Sequence, residues 1–421
     1  MKTACLALAA LAATVAAVPG PTRQISVGPR PFFLINQLPD GELKAKLESC
    51  ADMPMEPNSF AVAHRGASLQ FPEHSRESAI AAARLGAGTI ECDVTFTKDK
   101  ELVCRHGQED LHYTTNILLT PLAAKCKTPF TPYNPVTKTP ASAECRTSDL
   151  TLAEWKTLKG KMEGFNPTAL TVDEFVHGTP RWRTELYAGA TSGHLMSLAD
   201  SIELYESLGV MHTPEAKWTV VDMPYEGFSR TDFVQKIVDT YKAHDVDPDR
   251  VYFQSFFKED ILYIVENEPD FAVNAVYLDS MDNITQAPTM ANFTEFVEQG
   301  ITTWAPPLFA LLELKDGKLV ASQAGLNARK AGLDIIAWSL DRSGVMADKD
   351  HDMWYYSTVN SIIKSESIIF EAIHIFVQDL QMKGLFADWS AETAYYANCF
   401  DYGYNPVNYC DDEEKAKKVG I

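Results

Sequence analysis

Short apolar runs alternate with amphipathic segments along this chain, and this alternation constrains its fold more than any other feature. Runs of strand length lie at nine places: 60–65, 88–94, 101–106, 210–216, 250–255, 272–278, 300–304, 333–340 and 384–388. Helical periodicity is found between them, around 76–86, 199–208, 231–243, 258–267, 290–299, 322–331 and 366–383. Strands that alternate with helices are typical of α/β folds built on a parallel sheet.

The number of strands and the length of the chain favour one large domain. A closed α/β barrel needs eight strands, so one of the nine runs is wrong or lies outside the barrel, and 300–304 is the weakest of them. The 421 residues would suffice for two or three average domains, but α/β barrels run long as one unit. With 46% apolar residues, the chain can bury a large core. We therefore predict a single catalytic domain over 18–421.

Polar residues of a particular kind stand at or near the ends of the first three runs. His64 and Arg65 follow the first run, Glu91 and Asp93 end the second, and His106 ends the third. Side chains alternate along a strand, so Glu91 and Asp93 share one face. Two hard oxygen ligands with two imidazoles nearby suit Mg²⁺ or Ca²⁺ and acid–base catalysis at phosphorus.

These residues belong to an ordered series of motifs that runs from about residue 60 to about residue 390. Its members are His64-Arg65-Gly66-Ala67, Pro72-Glu73-His74-Ser75, Gly86-Ala87-Gly88, Ile90-Glu91-Cys92-Asp93-Val94, Thr97-Lys98-Asp99, Leu102-Val103-Cys104-Arg105-His106, Pro214-Glu215-Ala216-Lys217, Gln254-Ser255-Phe256 and Gly384-Leu385-Phe386-Ala387-Asp388. The series resembles the signature of the glycerophosphodiester phosphodiesterase family, above all its periplasmic bacterial and secreted fungal branches. A single His-Arg-Gly would be a weak signal, whereas the ordered series is a strong one.

The resemblance implies a TIM (β/α)8 barrel with an insertion after the third strand, at about 107–198. Loops after barrel strands lie on the catalytic face, so we expect this insertion to form one wall of the substrate site. A surface elaboration without function is the alternative. A second irregular stretch, 342–360, carries Trp354, Tyr355 and Tyr356, which would either close the same pocket or pack on the barrel.

The resemblance also assigns roles to the site residues. It implies metal-dependent hydrolysis of glycerophosphodiesters to sn-glycerol 3-phosphate and an alcohol such as choline, ethanolamine or inositol. His64 and His106 would exchange protons with the substrate, and sequence does not say which one is the base. Glu91, Asp93 and Glu215 would bind one divalent cation, Ca²⁺ or Mg²⁺. Arg65 and Lys217 would bind the phosphate. Phe256, Trp338 and Phe386 would line a pocket for the alcohol, with aromatic filling of the barrel as an equal alternative.

Some residues of the motif series have no settled role or depart from the family pattern. Glu73 would either orient the ligands or cap the following helix, and His74 and His112 are expected to pack in loops. Gly107 stands where many members have Asp, and Ala387 where the pattern has Thr. Two other functions therefore stay open: a phospholipase-D-like lyase that forms a cyclic phosphate, and a non-catalytic phosphate-binding barrel. The Glu-x-Lys motif of Glu215-Ala216-Lys217 and the long insertion favour the diesterase.

The first residues and the overall charge predict a secreted protein. Residues 1–17 have a basic start, a short apolar stretch and small residues at the end, as in a secretory signal peptide. The polar C-terminus lacks a lipid-anchor signal, so we expect no stable membrane anchor. A net charge of −20 disfavours nucleic acid and anionic membranes as partners and leaves a small-molecule substrate. The sequence leaves the oligomeric state open.

Seven cysteines remain once the predicted signal peptide, with Cys5, is removed. An odd number in an oxidising compartment leaves at least one thiol without an intramolecular partner. We predict the pairs Cys126–Cys145 and Cys399–Cys410, with Cys92 packed as a buried apolar residue and with Cys50 and Cys104 left open. The spacings do not suit zinc. Asn283 and Asn292 lie in glycosylation sequons.

Overall fold

A closed barrel of eight parallel strands forms the centre of the molecule. The computed structural model describes residues 24–348 and 353–408. The first strand pairs in parallel with both the second and the eighth, which closes the sheet. In chain order the strands, β1 to β8, are Asn58–Ala63, Ala87–Phe96, Met211–Ala216, Gln254–Ser255, Val276–Leu278, Thr303–Ala305, Asp334–Ala337 and Gly384–Ala387. The predicted TIM barrel is confirmed.

A helix follows each barrel strand and packs on the outside. In chain order these helices are Arg76–Arg84, Leu198–Leu208, Arg230–Ala243, Lys258–Asn267, Met290–Glu298, Gln323–Ala331, Ile368–Gln378 and Ala391–Cys399. Seven of them overlap predicted segments, and the last was missed. All residues of Ala391–Cys399 except Asn398 are buried, so this helix lacks the polar face on which a sequence-based prediction depends.

The ninth candidate strand lies outside the barrel, and it is not the one we considered weakest. Leu102–Cys104 pairs antiparallel with the end of β2, whereas the doubted run at 300–304 supplies β6, Thr303–Ala305. Only five residues separate Leu102–Cys104 from the end of β2. A turn of that length connects antiparallel strands, since a parallel connection needs a dozen residues or more.

The insertion at 107–198 follows this hairpin and therefore lies between barrel strands β2 and β3. Its elements are short: helices Leu111–Thr114, Leu152–Trp155 and Val172–Val176, and a two-stranded hairpin of Thr128–Thr131 and Ser142–Glu144. It has a small hydrophobic core of its own around Trp155 and Phe175. The predicted disulfide Cys126–Cys145 is confirmed and closes the hairpin.

Two further disulfides correct the predicted pairing. Cys399 pairs with Cys50, not with Cys410, and Cys92 pairs with Cys104 rather than packing as a free thiol. Antiparallel pairing of Leu102–Cys104 with β2 brings Cys92 and Cys104 together, with their Cα atoms 5.1 Å apart. Cys410 and the predicted signal peptide at 1–17 lie outside the described residues.

The remaining elements are short. Helices Arg30–Asn36 and Glu42–Glu48 precede the barrel, Pro269–Ala272 lies before β5, and a second hairpin, Leu312–Lys315 with Lys318–Ala321, follows β6. Among the residues described, no helix combines the length and the apolar character that crossing a membrane requires.

Candidate active site

A cleft of about 460 Å³ opens at the carboxyl ends of the barrel strands. All ten side chains predicted for the site line it: His64, Arg65, Glu91, Asp93, His106, Glu215, Lys217, Phe256, Trp338 and Phe386. The sequence-based predictions named Tyr355 only as one of two alternatives and did not include the other lining residues, Trp218, Leu278, Ser280 and Arg342. Residues from seven of the eight barrel strands or the loops that follow them, and one residue after the hairpin strand Leu102–Cys104, thus share one cleft.

Strand register explains how distant residues meet. Asp93 of β2 lies opposite Glu215 of β3, and Ala63 of β1 lies opposite Ala387 of β8. The second pairing places His64 beside Asp388, because each follows its strand by one residue. After His64 the chain turns sharply, and Gly66, at φ 88°, lies so close to Ser78 that a Cβ atom would stand 2.4 Å from its hydroxyl.

His64 is held from one side and open to the cleft on the other. Its Nδ1 lies 2.6 Å from Asp388 Oδ1, 3.1 Å from Ser339 Oγ and 3.3 Å from Arg342 Nε. A carboxylate on Nδ1 favours the tautomer in which Nδ1–H donates and Nε2 keeps its lone pair. Burial and the positive charge of Arg65 lower the pKa of His64 to about 4, so this ring is neutral at neutral pH.

His106 reaches the same cleft without such support. It follows the strand that returns antiparallel from β2, and its neighbour Arg105 donates its backbone N–H to Asp93 O at 2.8 Å. Its ring meets Trp218 edge to face at 5.9 Å, and within 24–348 and 353–408 no residue forms a hydrogen bond with it. Burial, Arg65 and Lys217 lower the pKa of His106 well below its ordinary value.

Carboxylates fill the floor between the two imidazoles. Glu91 accepts hydrogen bonds from the backbone N–H of Arg65 and from Gln254 Nε2, both at 2.9 Å. Asp93 Oδ2 lies 2.8 Å from His74 Nε2, whereas Asp93 Oδ1 is buried and accepts no hydrogen bond from a described residue. Ligand atoms of His74, Glu91 and Asp93 lie within 4.8 Å of one another.

This floor has the donor set for a hard cation. Burial and the charges of Asp93 and Glu215 raise the pKa of Glu91 well above its usual value. Burial also raises the pKa of Glu215 to about 8, with Asp93 adding to the effect and Lys217 Nζ, 2.7 Å away, opposing it. The buried oxygen Asp93 Oδ1 accepts no hydrogen bond from a described residue, and the neighbouring cations do not offset the charge of the three carboxylates. Both features fit a divalent metal at this place.

Two residues whose roles were open from sequence lie directly behind the lining. Glu73 accepts a hydrogen bond from Arg65 at 3.0 Å, while Ser75 caps the helix Arg76–Arg84, so Glu73 orients Arg65. The expectation that His74 only packs in a loop is wrong, because it contacts Asp93. Its place in the Pro-Glu-His-Ser motif was the available signal. His112 lies in the short helix Leu111–Thr114 and not in a loop, and it packs among Tyr113, Phe165 and Phe175.

Aromatic rings form the opposite side of the cleft. Phe256 and Trp338 meet edge to face at 5.5 Å, and Trp338 meets Tyr355 edge to face at 6.0 Å. Trp338 is fixed by a hydrogen bond from its indole nitrogen to Ala305 O at 3.0 Å. Lys217 Nζ lies 4.4 Å from the ring centre of Trp218 and 5.7 Å from that of Phe256. One wall is thus charged and the other aromatic.

The insertion does not line the cleft, contrary to our expectation of a wall. None of the lining residues falls between 107 and 198. Instead, Glu163 and Arg183 of the insertion reach the charged groups behind it, at Arg342 and Asp388. In the second irregular stretch, Tyr355 lines the cleft, while Tyr356 is buried and donates to Leu340 O.

The two departures from the family pattern have different structural consequences. Ala387 is buried in β8 and does not prevent Asp388 from contacting His64. Gly107 places no carboxylate beside His106, and its N–H donates to Asp110 Oδ2 at 2.9 Å.

The fold and cleft define an α/β-barrel enzyme whose site suits phosphodiester cleavage. The chain belongs to the Glycerophosphoryl diester phosphodiesterase family, whose model matches residues 64–357. It is a phosphodiesterase of this family, and enzymes of this family are metal-dependent in general.

Individual relatives agree with this family. An "Extracellular protein" of Arthroderma benhamiae is 38% identical over 248 residues, 57% of this chain and 100% of that protein. The "Probable glycerophosphodiester phosphodiesterase 1" of Mycobacterium tuberculosis is 46% identical over 58 residues, 14% of this chain and 21% of that protein. A crystal structure from Silicibacter pomeroyi, assigned as a glycerophosphoryl diester phosphodiesterase, matches the fold with TM-score 0.54 at 16% identity, over 85% of this chain and 99% of that one.

Proposed function

We propose that this protein is a secreted, divalent-metal-dependent phosphodiesterase that hydrolyses glycerophosphodiesters to sn-glycerol 3-phosphate and a free alcohol. The observation that carries the proposal is one cleft in which two imidazoles flank three carboxylates, with Arg65 and Lys217 beside them. Glu91, Asp93 and Glu215 would hold one Ca²⁺ or Mg²⁺, with His74 fixing Asp93. When bound, the cation polarises a phosphoryl oxygen and offsets developing negative charge.

The contacts of the two histidines suggest different roles. His64 donates from Nδ1 to Asp388, so its free Nε2 suits a base that takes a proton from water or from the glycerol hydroxyl. Attack by the glycerol hydroxyl would expel the alcohol and leave a cyclic phosphate, which water would then open to glycerol 3-phosphate. His106 then suits the acid that protonates the leaving alcohol. Its lowered pKa belongs to the free enzyme, and a phosphodiester anion bound beside the ring favours the imidazolium. Arg65 and Lys217 would contact the phosphate oxygens.

The aromatic wall favours a cationic alcohol such as choline. Phe256, Trp338 and Tyr355 stand edge to face around one side of the cleft, an arrangement in which several ring faces can meet one ammonium group. Trp218 and Phe256 already lie within cation–π distance of Lys217. We therefore propose glycerophosphocholine as a substrate that this wall recognises, with Phe386, 5.9 Å from His64, at the base of the pocket.

Phosphorus-31 NMR tests the reaction. The purified protein is incubated with glycerophosphocholine and EDTA, and then with excess Ca²⁺ or Mg²⁺. Growth of a glycerol 3-phosphate signal that depends on added metal is the expected result. A cyclic phosphate that accumulates as the end product, from this substrate or from lysophospholipid vesicles, would replace the hydrolase with the lyase, and no product with any metal or substrate would overturn the proposal.

An uncharged isostere tests the head group. The 3,3-dimethylbutyl ester replaces the quaternary nitrogen of choline by carbon and keeps its shape. If cation–π attraction recognises the head group, we expect kcat/KM to fall about 3- to 30-fold for the isostere. Equal values for the two esters would leave only apolar contact and would remove the preference for choline.

Secretion is proposed on three independent observations. The described residues contain three disulfides, the Arthroderma benhamiae relative is named an extracellular protein, and residues 1–17 have the pattern of a signal peptide. Asn283 and Asn292 are exposed and would carry N-glycans. N-terminal sequencing of protein from culture medium should begin after residue 17, and endoglycosidase should lower its apparent mass. Protein retained in the cell with an intact N-terminus would contradict this proposal.

A further inference from the structure

Four charged side chains form a closed ring beside the cleft, and one of them, Arg342, also lines it. Arg183 NH2 lies 3.0 Å from Asp388 Oδ2, and Asp388 Oδ1 lies 3.2 Å from Arg342 Nε. Arg342 NH2 in turn lies 3.1 Å from Glu163 Oε2, which is 3.2 Å from Arg183 NH2. Glu163 and Arg183 come from the insertion, whereas Arg342 and Asp388 follow β7 and β8. The ring therefore joins the insertion to the last two barrel strands.

The ring is largely shielded from water. The side chains of Asp388 and Arg183 are 0% and 2% exposed, and those of Arg342 and Glu163 are 13% and 24% exposed. Each charge contacts two opposite charges, so removal of one leaves two others short of a partner. Uncompensated charge is costly in such surroundings, which makes the geometry of the remaining groups sensitive to any single loss.

His64 is attached to this ring through Asp388. The carboxylate holds His64 with Oδ1 and receives Arg183 on Oδ2. Arg183 also donates from NH1 to Ser68 O at 2.9 Å, and the Ser68 hydroxyl donates to His64 O at 3.1 Å. One arginine of the insertion thus fixes both the carboxylate that orients the imidazole and the chain segment that carries it.

We propose that Glu163 and Arg183 are positioning residues through which the insertion orients His64. They act on Asp388 and Arg342 and do not themselves line the cleft. This gives the insertion a role in the reaction although it supplies no wall. The inference rests on the proposed diesterase function, because it assigns His64 a part in proton transfer.

Variants of Arg183 test the proposal through kinetics. We expect Arg183→Met to lower kcat for glycerophosphocholine about 10- to 100-fold, the usual cost of losing a group that orients a site residue, with KM changed less than about two-fold. Arg183→Lys should recover part of the loss. Arg146→Met is the matched control, since Arg146 pairs with Glu144 within the insertion, and it should keep wild-type kcat. Equal kcat in the Met variants of Arg183 and Arg146 would overturn the inference.

A double-mutant cycle separates orientation of His64 from general loss of structure. If Arg183 acts mainly through Asp388, the double variant R183M/D388N should lose much less kcat than the product of the two single losses. Multiplicative losses would show that Arg183 acts elsewhere and would overturn the inference. Glu163→Gln keeps the shape of the side chain and provides a second test if Arg183→Met fails to fold. It should lower kcat in the same direction, and wild-type kcat would count against the proposal.

A measurement without turnover keeps the inference distinct from the proposed function. Nitrogen-15 NMR of histidine-labelled protein reports the tautomer of His64, whose signal is assigned by its loss in His64→Asn. We expect the Nδ1–H form in wild type and in Arg146→Met, and a mixture of tautomers in Arg183→Met. Unchanged tautomers in Arg183→Met and Glu163→Gln would overturn the positioning role. An inactive wild type with the expected tautomer shift would instead reject only the diesterase.

Discussion

The two imidazoles of the cleft stand in contrasting surroundings. His64 follows a barrel strand directly and has Asp388, Ser339 and Arg342 around Nδ1. His106 arrives on the return strand of a hairpin, and the contact recorded for its ring is the edge of Trp218. Residues from the insertion contact Asp388 and Arg342 on the first side, whereas Gly107, next to His106, has no side chain.

The two imidazole rings of the site are therefore held in different ways. On the side of His64, a buried charge network fixes both the tautomer and the angle of the ring. On the side of His106, the edge of Trp218 is the ring contact found among the described residues, so we expect this ring to turn more freely than that of His64. A base that must meet one defined hydroxyl benefits from the first arrangement, and an acid that serves different alcohols is compatible with the second.

Removal of either imidazole should have the largest effect. We expect His64→Asn and His106→Asn each to lower kcat about 10²- to 10⁴-fold, because each proton transfer loses its group. Glycerol 3-phosphate release measures the rate. His177→Asn, an exposed histidine of the insertion, is the control and should be fully active. Unaltered turnover in either site variant would remove that histidine from the mechanism.

Removal of the carboxylate that holds His64 should have the second largest effect on kcat, and it should act on His64 and not on His106. Asp388→Asn leaves a neutral amide at Nδ1 that no longer selects the tautomer, so kcat should fall about 100-fold or more. Asp379→Asn, an exposed acid at the end of the helix Ile368–Gln378, should match wild type. If Asp388→Asn kept more than half of the activity, the contact of Asp388 with His64 would not be important for catalysis, and the difference between the two histidines would be structural only.

Loss of the ring beside His106 should have a smaller effect, since packing restrains an angle less than a buried ion pair does. We expect Trp218→Leu to lower kcat about 3- to 10-fold, in line with the 0.5–1.5 kcal/mol of an aromatic pair. Trp218→Phe keeps an aromatic edge and should lose less. Steady-state kinetics with glycerophosphocholine decide the point, and an identical loss in both variants would contradict the packing role.

Acid should loosen the insertion near His106, with the smallest expected effect. Burial lowers the pKa of His112 to about 4, below its ordinary 6.5. The folded state therefore disfavours the charged ring, and the stability present above pH 6.5 is lost as the pH falls from 6.5 towards 4. Melting curves between pH 7 and 4.5 should show a smaller fall in Tm for His112→Phe than for wild type. Parallel curves would assign the acid sensitivity to other groups.

Much of the fold and of the cleft lining could be predicted from sequence, because both depend on local patterns. Alternating apolar runs and amphipathic segments predicted all eight barrel strands. The motif series contains nine of the ten predicted residues that line the cleft, and the tenth, Trp338, lies in the apolar run 333–340. The missed helix Ala391–Cys399 is buried on nearly every face and has no amphipathic period to detect. Arg342 and Trp218 lie in loops, where no periodicity marks a residue as facing the cleft.

The sequence alone therefore determined the α/β barrel and the residues at its strand ends, because strand periodicity and short motifs are local properties of the chain. The five-residue turn after β2 was a local signal that Leu102–Cys104 lies outside the barrel. The partner of Cys399 and the contact of Arg183 with Asp388, in contrast, follow from the tertiary structure. These outcomes depend on pairings between residues far apart in the chain. Such pairings are selected by burial and charge compensation after the strands have closed, and no local pattern encodes them.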